Sequence, residues 1–199
     1  MIEELPDDFS WDAQAVVFGA SAGAIDALLA LLGPLPAGYR LPLIAVVHLP
    51  DGRESRLPEV FAPRLALRVR EAAAGAPVEP GTLYFAPSGY HLLVEPDRTF
   101  SLSCDPPVLF SRPSIDVLME SCADAWGPRL VGIVLTGASA DGARGLTRIR
   151  ACGGLAAVQS PREAQHGAMP SAAIASADPQ LVLPLAQLRR LLQRLEQRQ

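Results

Sequence analysis

The fold of this chain is constrained most by short apolar runs, rich in β-branched residues, that alternate with stretches of helical periodicity. Residues 15–19 and 43–47 are long enough for strands and carry no polar side chain, which is typical of strands buried on both faces. Between them, Ser21 is placed to cap a helix whose apolar face consists of Ile25, Leu28, Leu29 and Leu32. A strand–helix–strand order predicts a parallel sheet with right-handed crossovers.

The middle of the chain has a different pattern. Alternating runs at residues 67–70, 82–85, 91–95 and 99–103 are separated by proline and glycine turn signals. We predict that these runs form antiparallel hairpins inserted into or beside the parallel core. The remaining predicted elements are helices at 51–65, 114–126, 141–151, 169–176 and 184–198, and strands at 130–135 and 155–158.

These patterns predict an α/β fold, a doubly wound and mainly parallel sheet with helices on both faces and an antiparallel hairpin excursion. The 199 residues, 49% of them apolar, suit one globular domain. We place that domain at residues 13–199, behind an acidic leader at residues 1–12. Leucines repeat at helical spacing near the end of the chain. They are interpreted as core-facing, with a dimer or partner surface as the alternative.

Charge and the lengths of the apolar runs exclude several classes of function. The formal net charge is −4 and the pI is about 5.4, which disfavours nucleic-acid binding. No apolar run reaches the ~18 residues that a membrane span needs. The N-terminus is acidic, whereas a signal peptide begins with basic residues. We therefore expect a cytoplasmic protein that is not inserted in a membrane.

The three cysteines, Cys104, Cys122 and Cys152, are widely spaced. Their spacing matches neither a disulfide framework nor a zinc site. We expect ordinary thiols, no metal and no other cofactor. The expected oligomeric state is a monomer.

The motif with most chemical content is Gly19-Ala20-Ser21-Ala22-Gly23, which follows the first strand and opens the first helix. Flanking glycines permit a sharp turn that presents the serine, while the helix N-terminus offers N–H groups to a developing oxyanion. A turn in which the serine only caps the helix is the alternative interpretation. A phosphate-binding loop is disfavoured because the dinucleotide fingerprint is incomplete.

His48 and Asp141 stand at the ends of two further predicted strands. The carboxyl ends of parallel strands meet at one edge of a sheet, where α/β proteins bind ligands. Taken singly, His48 is explained as a histidine at a strand end and Asp141 as a helix cap. Together with Ser21 they match the nucleophile, base and orienting carboxylate of a serine hydrolase. His91 and His166 are interpreted as non-catalytic.

The order serine, histidine, aspartate differs from that of the α/β-hydrolases. The residues instead resemble the catalytic domain of the chemotaxis receptor methylesterase, the CheB family, over about residues 15–185. Several dispersed motifs in one order are more specific than any one alone. They are Gly19-Ala20-Ser21, His48-Leu49-Pro50, Tyr84-Phe85-Ala86-Pro87 with His91, Arg112-Pro113-Ser114-Ile115-Asp116-Val117-Leu118, Val134-Leu135-Thr136-Gly137 with Asp141-Gly142, and Met169-Pro170.

The resemblance implies a protein-glutamate methylesterase that releases methanol from methylated glutamates on the cytoplasmic helices of chemoreceptors. Members of this family also deamidate receptor glutamines by the same acyl chemistry. Ser21 matches the family nucleophile, His48 its base and Asp141 its orienting carboxylate. Ala22 and Ala138 are candidate oxyanion or substrate-binding positions. The implied fold is the same α/β fold, and no cofactor is implied.

The chain departs from the family pattern close to these residues. Ala22-Gly23-Ala24 stands in place of Thr-Gly-Gly, Ala138 and Ser139 occupy the last two places of Gly-Met-Gly, and Val47 replaces the glutamine before the histidine. The altered loops around Ser21 and Asp141 favour an alternative function, a non-catalytic or weakly active signalling module of the same fold, whereas the intact triad favours the methylesterase. Family members usually carry an N-terminal receiver domain. The fourteen residues before the first strand are too few for one, so we expect no regulation by phosphorylation in cis.

Arg112 has two interpretations. It pairs with a nearby carboxylate, or it faces the cleft and contacts the acidic receptor segment that carries the target glutamates. The sequence alone leaves both open.

Overall fold

The structure is a computed structural model and describes residues 4–49 and 55–196. The strands are β1 (Ala15–Ala20), β2 (Leu43–Val47), β3 (Arg68–Glu71), β4 (Thr82–Phe85), β5 (His91–Val94), β6 (Phe100–Ser103), β7 (Leu130–Val134), β8 (Leu155–Gln159) and β9 (Leu181–Leu183). The helices are α1 (Ala24–Leu32), α2 (Leu57–Phe61), α3 (Ile115–Trp126), α4 (Ala143–Ala151), α5 (Ala168–Ala177) and α6 (Leu185–Glu196).

Seven of these strands form one parallel sheet in the order β3-β4-β2-β1-β7-β8-β9. Alternate residues of the central strand point to opposite faces, as the pleat of a strand requires. Val16 and Phe18 lie in one apolar cluster with α1, α2 and α6, while Ala15 and Val17 lie in a second with α3, α4 and α5. A strand buried on both sides must be apolar throughout. The predicted fold class is confirmed.

The strand order reverses beside β1. The chain leaves β1 through α1 to reach β2 on one side, and β7 pairs with β1 on the other side. A crevice forms outside the carboxyl ends of the strands at such a switch point, because the connections depart in opposite directions. The loops that follow β1, β2 and β7 therefore share one edge of the sheet.

The prediction of hairpins across residues 67–103 is wrong in its first half. β3 and β4 pair in parallel within the main sheet, and of the strands named above only β5 and β6 pair antiparallel. The alternation that indicated a hairpin comes from the position of β3 at the sheet edge. There Val69 is half-buried while Arg68, Arg70 and Glu71 are exposed.

Three further elements differ from prediction. The helix expected over 51–65 is reduced to α2 and a 3-10 turn at Ala62–Arg64, and residues 51–54 lie outside the described residues. β9 was not predicted because a three-residue run carries almost no periodicity. α1 begins after Gly23 and has no side-chain cap, so Ser21 does not cap it.

The acidic leader packs against the domain over part of its length. Leu5 is buried in the same apolar cluster as α6, and the Trp11 indole donates a hydrogen bond to the Pro128 carbonyl oxygen at 3.1 Å. Asp7 pairs with Arg190 of α6. The leucine stripe of α6 faces the core, as interpreted, and its buried members are Leu188, Leu191, Leu192 and Leu195. No helix in the described chain is long and apolar enough to cross a membrane.

Candidate active site

The three predicted site residues meet at the carboxyl edge of the sheet. The backbone N–H of Ser21 donates to the Thr136 carbonyl oxygen at 3.0 Å, and that of His48 donates to the Ala20 carbonyl oxygen at 3.0 Å. These bonds extend the pairing of β1 with its two neighbours by one residue on each side. Asp141 reaches the same edge from the loop after β7, through its side-chain contact with His48.

Both glycines around Ser21 have structural causes. A side chain at Gly19 would overlap the Ile115 side chain, so only glycine lets α3 approach β1 this closely. Gly23 has a φ of +82°, a left-handed conformation that favours glycine. Ser21 is half-buried, and its hydroxyl makes no hydrogen bond within the described residues. The hydroxyl is therefore left free for chemistry by the turn that carries it.

The imidazole of His48 is held by Asp141. Its Nε2 lies 2.8 Å from Asp141 Oδ2, and the His48 side chain is about one-tenth exposed. Because an ionised carboxylate can only accept, Nε2 carries the proton of the neutral ring. This assignment leaves Nδ1 unprotonated and able to accept a proton.

Asp141 is fully buried and accepts four hydrogen bonds. Oδ2 accepts from His48 Nε2 and from the Ile115 N–H at 2.7 Å, while Oδ1 accepts from the Ser114 hydroxyl and the Asp116 N–H, both at 2.9 Å. Burial raises the pKa of Asp141, but these bonds outweigh it and the pKa lies below its usual value. The carboxylate sits on the N-terminus of α3, where the helix dipole also favours negative charge. Asp141 thus caps α3 and not α4, whose own N-cap residue is Gly142 and has no side chain.

A second buried carboxylate mirrors the first. Asp116, in the first turn of α3, accepts at one oxygen, Oδ1, from the N–H groups of Gly142 at 2.8 Å and Gly145 at 2.7 Å. The N-terminal N–H groups of α3 therefore bond to Asp141, and those of α4 bond to Asp116. Burial, together with repulsion from Asp141, raises the pKa of Asp116 despite those bonds. This role of Asp116 was not predicted, because an acid in the first turn is common in any helix.

His91 supports the α3 end of this network. It is buried, its Nδ1 accepts the Ser114 N–H at 3.2 Å, and its Nε2 lies 3.1 Å from the Pro106 carbonyl oxygen. Both ring nitrogens are occupied, which agrees with its interpretation as non-catalytic. Ser114 links this histidine to Asp141, a connection that motif reading did not foresee.

Thr136 ties the turn at Ser21 to the loop before α5. Its hydroxyl donates to the Ala22 carbonyl oxygen at 2.9 Å and accepts the His166 N–H at 2.9 Å. Its own N–H donates to the Gln159 side chain at 2.8 Å. His166 is exposed and is linked here through its backbone.

Two backbone donors are free near Ser21. The N–H groups of Ala22 and Ala138 have no backbone or side-chain acceptor within residues 4–49 and 55–196. Ala22 directly follows the serine, and Ala138 lies in the loop after β7. Free N–H groups in such loops are the usual components of an oxyanion hole. Both alanines supply backbone donors whatever their side chains.

A cleft of about 270 Å³ opens beside His48. Its wall includes Phe110, Ser111, Arg112 and Pro113, whereas Ser21 and Asp141 are not among its lining residues. Arg112 is exposed there, and its Nη1 donates to the carbonyl oxygens of Cys104 at 2.8 Å and Asp105 at 3.1 Å. No ion pair of Arg112 with a carboxylate is found in the described chain. The cleft-facing interpretation is thus the one that the geometry favours.

The comparisons with known proteins agree with this architecture. The CheB methylesterase family model matches residues 16–192. A putative protein-glutamate methylesterase/protein-glutamine glutaminase of Leptospira interrogans is 39% identical over 184 residues, which are 92% of this chain and 95% of the relative. Protein-glutamate methylesterase FrzG of Myxococcus xanthus is 37% identical over 173 residues, 87% of this chain and 52% of the relative.

The fold has a solved counterpart. The crystal structure of the Thermotoga maritima CheB methylesterase catalytic domain superposes with a TM-score of 0.85 at 26% identity, covering 90% of this chain and 97% of that domain. The family match spans most of the chain, and two relatives exceed 30% identity over most of it. The chain belongs to the CheB methylesterase family, as its dispersed motifs predicted.

Proposed function

We propose that this chain is a serine hydrolase that removes methyl esters from methylated glutamates of chemotaxis receptors. Ser21 is the nucleophile, His48 the general base and Asp141 the carboxylate that orients it. The observation that carries the proposal is the 2.8 Å contact of His48 Nε2 with a buried carboxylate that is held by three further donors. This contact selects the one neutral tautomer whose remaining nitrogen can accept the serine proton.

The reaction follows from these positions. Ser21 Oγ attacks the ester carbonyl carbon while its proton passes to His48 Nδ1. The tetrahedral intermediate collapses as the methoxy group takes that proton and leaves as methanol. Water then attacks the acyl-serine, giving its proton to the same nitrogen, and the glutamate carboxylate departs as Ser21 recovers its hydrogen. With a glutamine in place of the ester, the same steps release ammonia, which is deamidation.

The backbone around Ser21 also supports this chemistry. The free N–H groups of Ala22 and Ala138 supply donors for the oxyanion at the edge where the serine stands. His48 and Ser21 are not hydrogen-bonded to each other in the structure, and such bonds are often long before substrate arrives. The proposed substrates are methylated helices of chemoreceptors. Because those helices are cytoplasmic, we propose a cytoplasmic location for this protein.

Ser21→Ala tests the proposal. We expect methanol release from a methylated receptor fragment to fall by of order 10³-fold or more, because the three side chains act as a unit. Ser176→Ala, which changes an exposed serine near the end of α5, is the matched control and should keep full activity. Circular dichroism of both variants should equal that of the wild type.

The alternative, a signalling module without hydrolase activity, makes a different prediction. Wild-type protein would then release no methanol, and a serine-reactive phosphonate would not label Ser21. Labelling that disappears in His48→Ala would instead favour the hydrolase, since the probe needs an activated hydroxyl. Retention of most activity by folded Ser21→Ala would overturn the assignment of the nucleophile.

A further inference from the structure

The least buried large apolar side chain in the described chain is at the cleft. Phe110 is 97% exposed, and the neighbouring Leu109 is 50% exposed. Together they form the tip of a tight hairpin between Val108 and Ser111, which we call the 109–110 tip. Isolated apolar residues on a surface are ordinary, but a fully exposed aromatic side chain next to a candidate active site is a feature of binding surfaces.

The backbone conformation of the tip is one that its two residues, Leu109 and Phe110, do not favour. The N–H groups of Val108 and Ser111 donate to each other's carbonyl oxygens at 3.1 and 2.9 Å, which closes a two-residue turn. Leu109 and Phe110 both have positive φ values, of 47° and 63°. Turns of this kind favour Asn-Gly, whereas a bulky side chain in this region is strained. Leu109 and Phe110 are too exposed for their burial to offset this strain. The stability of the fold therefore does not explain why these two residues occupy the turn.

The tip lies beside the candidate catalytic base. Phe110 and His48 line the same cleft, and Arg112 follows two residues after the tip. The Arg112 guanidinium uses Nη1 for its two backbone acceptors, while its Nε and Nη2 have no acceptor in the described residues. An apolar projection and unused guanidinium donors therefore stand together at the entrance to the site.

We propose that the 109–110 tip and Arg112 dock the receptor helix that carries the methylated glutamate. This inference rests on the proposed function and names the part of the site that selects a protein substrate. The side chain of Phe110 packs among apolar residues that repeat on the substrate helix, in the way that aromatic anchors dominate protein interfaces. Arg112 donates to carboxylates of glutamates on the same helix that carry no methyl group.

Two hairpin variants separate docking from folding. Phe110→Ala removes the projection, while the double change Leu109→Asn with Phe110→Gly installs the sequence that the turn prefers. We expect both to lose about tenfold or more in kcat/KM on a methylated cytoplasmic receptor fragment, mainly through KM. Hydrolysis of p-nitrophenyl acetate should stay within about twofold of the wild-type rate, because this ester needs Ser21, His48 and Asp141 but has no helix for the tip to dock. The double variant should also be at least as stable as the wild type.

Arg98→Gly is the matched control. Arg98 also has a positive φ, of 66°, but its turn joins β5 to β6 and is not part of the cleft wall. We expect wild-type kinetics on both substrates. Wild-type protein that turns over the fragment while both tip variants match it would overturn the docking inference and leave the proposed function standing. Wild-type protein with no activity on the fragment would overturn the proposed function and the docking inference with it.

Discussion

Two regions border His48, and they are built in opposite ways. Asp141 is fully buried, and all four of its acceptor positions are filled, whereas Phe110 is 97% exposed on a turn that its sequence does not favour. The buried carboxylate cannot shift without breaking several hydrogen bonds at once. The exposed tip can change with little consequence for the core. If the two proposals hold, the reacting groups are separated from the surface that docks the substrate.

The two buried carboxylates sharpen this contrast. Both oxygens of Asp141 accept hydrogen bonds, but both donors to Asp116 meet a single oxygen, Oδ1. An asparagine amide keeps one accepting oxygen and replaces the other by a donor. An asparagine is therefore incompatible with the hydrogen bonds at position 141 but compatible with those at position 116.

The largest effect is expected for Asp141→Asn. In either orientation of the asparagine amide, its NH₂ group faces N–H or O–H donors and cannot accept from them. In addition, the side chain no longer selects the tautomer of His48. We expect kcat to fall about 10⁴-fold on the receptor fragment and on p-nitrophenyl acetate alike. The free energy of unfolding should fall by about 3 kcal/mol.

The control for this variant is Asp124→Asn, which alters an exposed aspartate of α3 that pairs with Arg148. It should change the free energy of unfolding by less than about 1 kcal/mol, because exposed ion pairs contribute little. If Asp141→Asn lost activity on the receptor fragment alone, the separation of the two regions would be wrong.

Acidification should change the contributions of Asp141 and Asp116 to the free energy of unfolding in opposite directions. The pKa of Asp141 is lowered, so its ionised form stabilises the fold above its unfolded value of about 3.9, and this stabilisation is lost as pH falls through the folded-state pKa. The pKa of Asp116 is raised, so its contribution is full below the unfolded value and declines as pH rises through the folded-state pKa. The stability gap between wild type and Asp141→Asn should narrow on acidification. The free energy of unfolding of Asp116→Asn should instead increase relative to that of the wild type as pH rises.

Urea denaturation between about pH 3 and about pH 7 measures both gaps. Parallel curves for the two variants would contradict the opposite pKa directions.

The smallest effect is expected for Asp116→Asn at neutral pH. Its amide oxygen still accepts from Gly142 and Gly145, and the repulsion of Asp141 disappears with the charge. We expect a free energy of unfolding within about 1 kcal/mol of the wild type and esterase activity within a few-fold. A loss as large as that of Asp141→Asn would mean that the charge of Asp116, and not its hydrogen bonding, holds the loop after β7.

Much of the fold could be predicted because its signals are local. The runs at β1, β2 and β7 are apolar at every position, and a strand buried on both faces has no other pattern. β3 was misassigned because alternation describes an edge strand and a hairpin strand equally well. β9 was missed because its pairing with β8, and not its three residues, makes it a strand.

The candidate site divides in the same way. Ser21, His48 and Asp141 are recognisable in the sequence because each comes after a strong strand. Asp116, His91 and Thr136 act through partners that are distant in the sequence, and their residue types are ordinary in their local positions.

The sequence by itself determined the parallel core of the sheet, the edge at which its loops meet and the family to which the motifs point, since apolar patterning and the order of elements along the chain are local. Only the tertiary structure decided which helix Asp141 caps, which nitrogen of His48 carries the proton and where the side chain of Phe110 goes. Those outcomes depend on hydrogen-bond geometry and burial among elements far apart in the chain, and a linear pattern contains neither quantity.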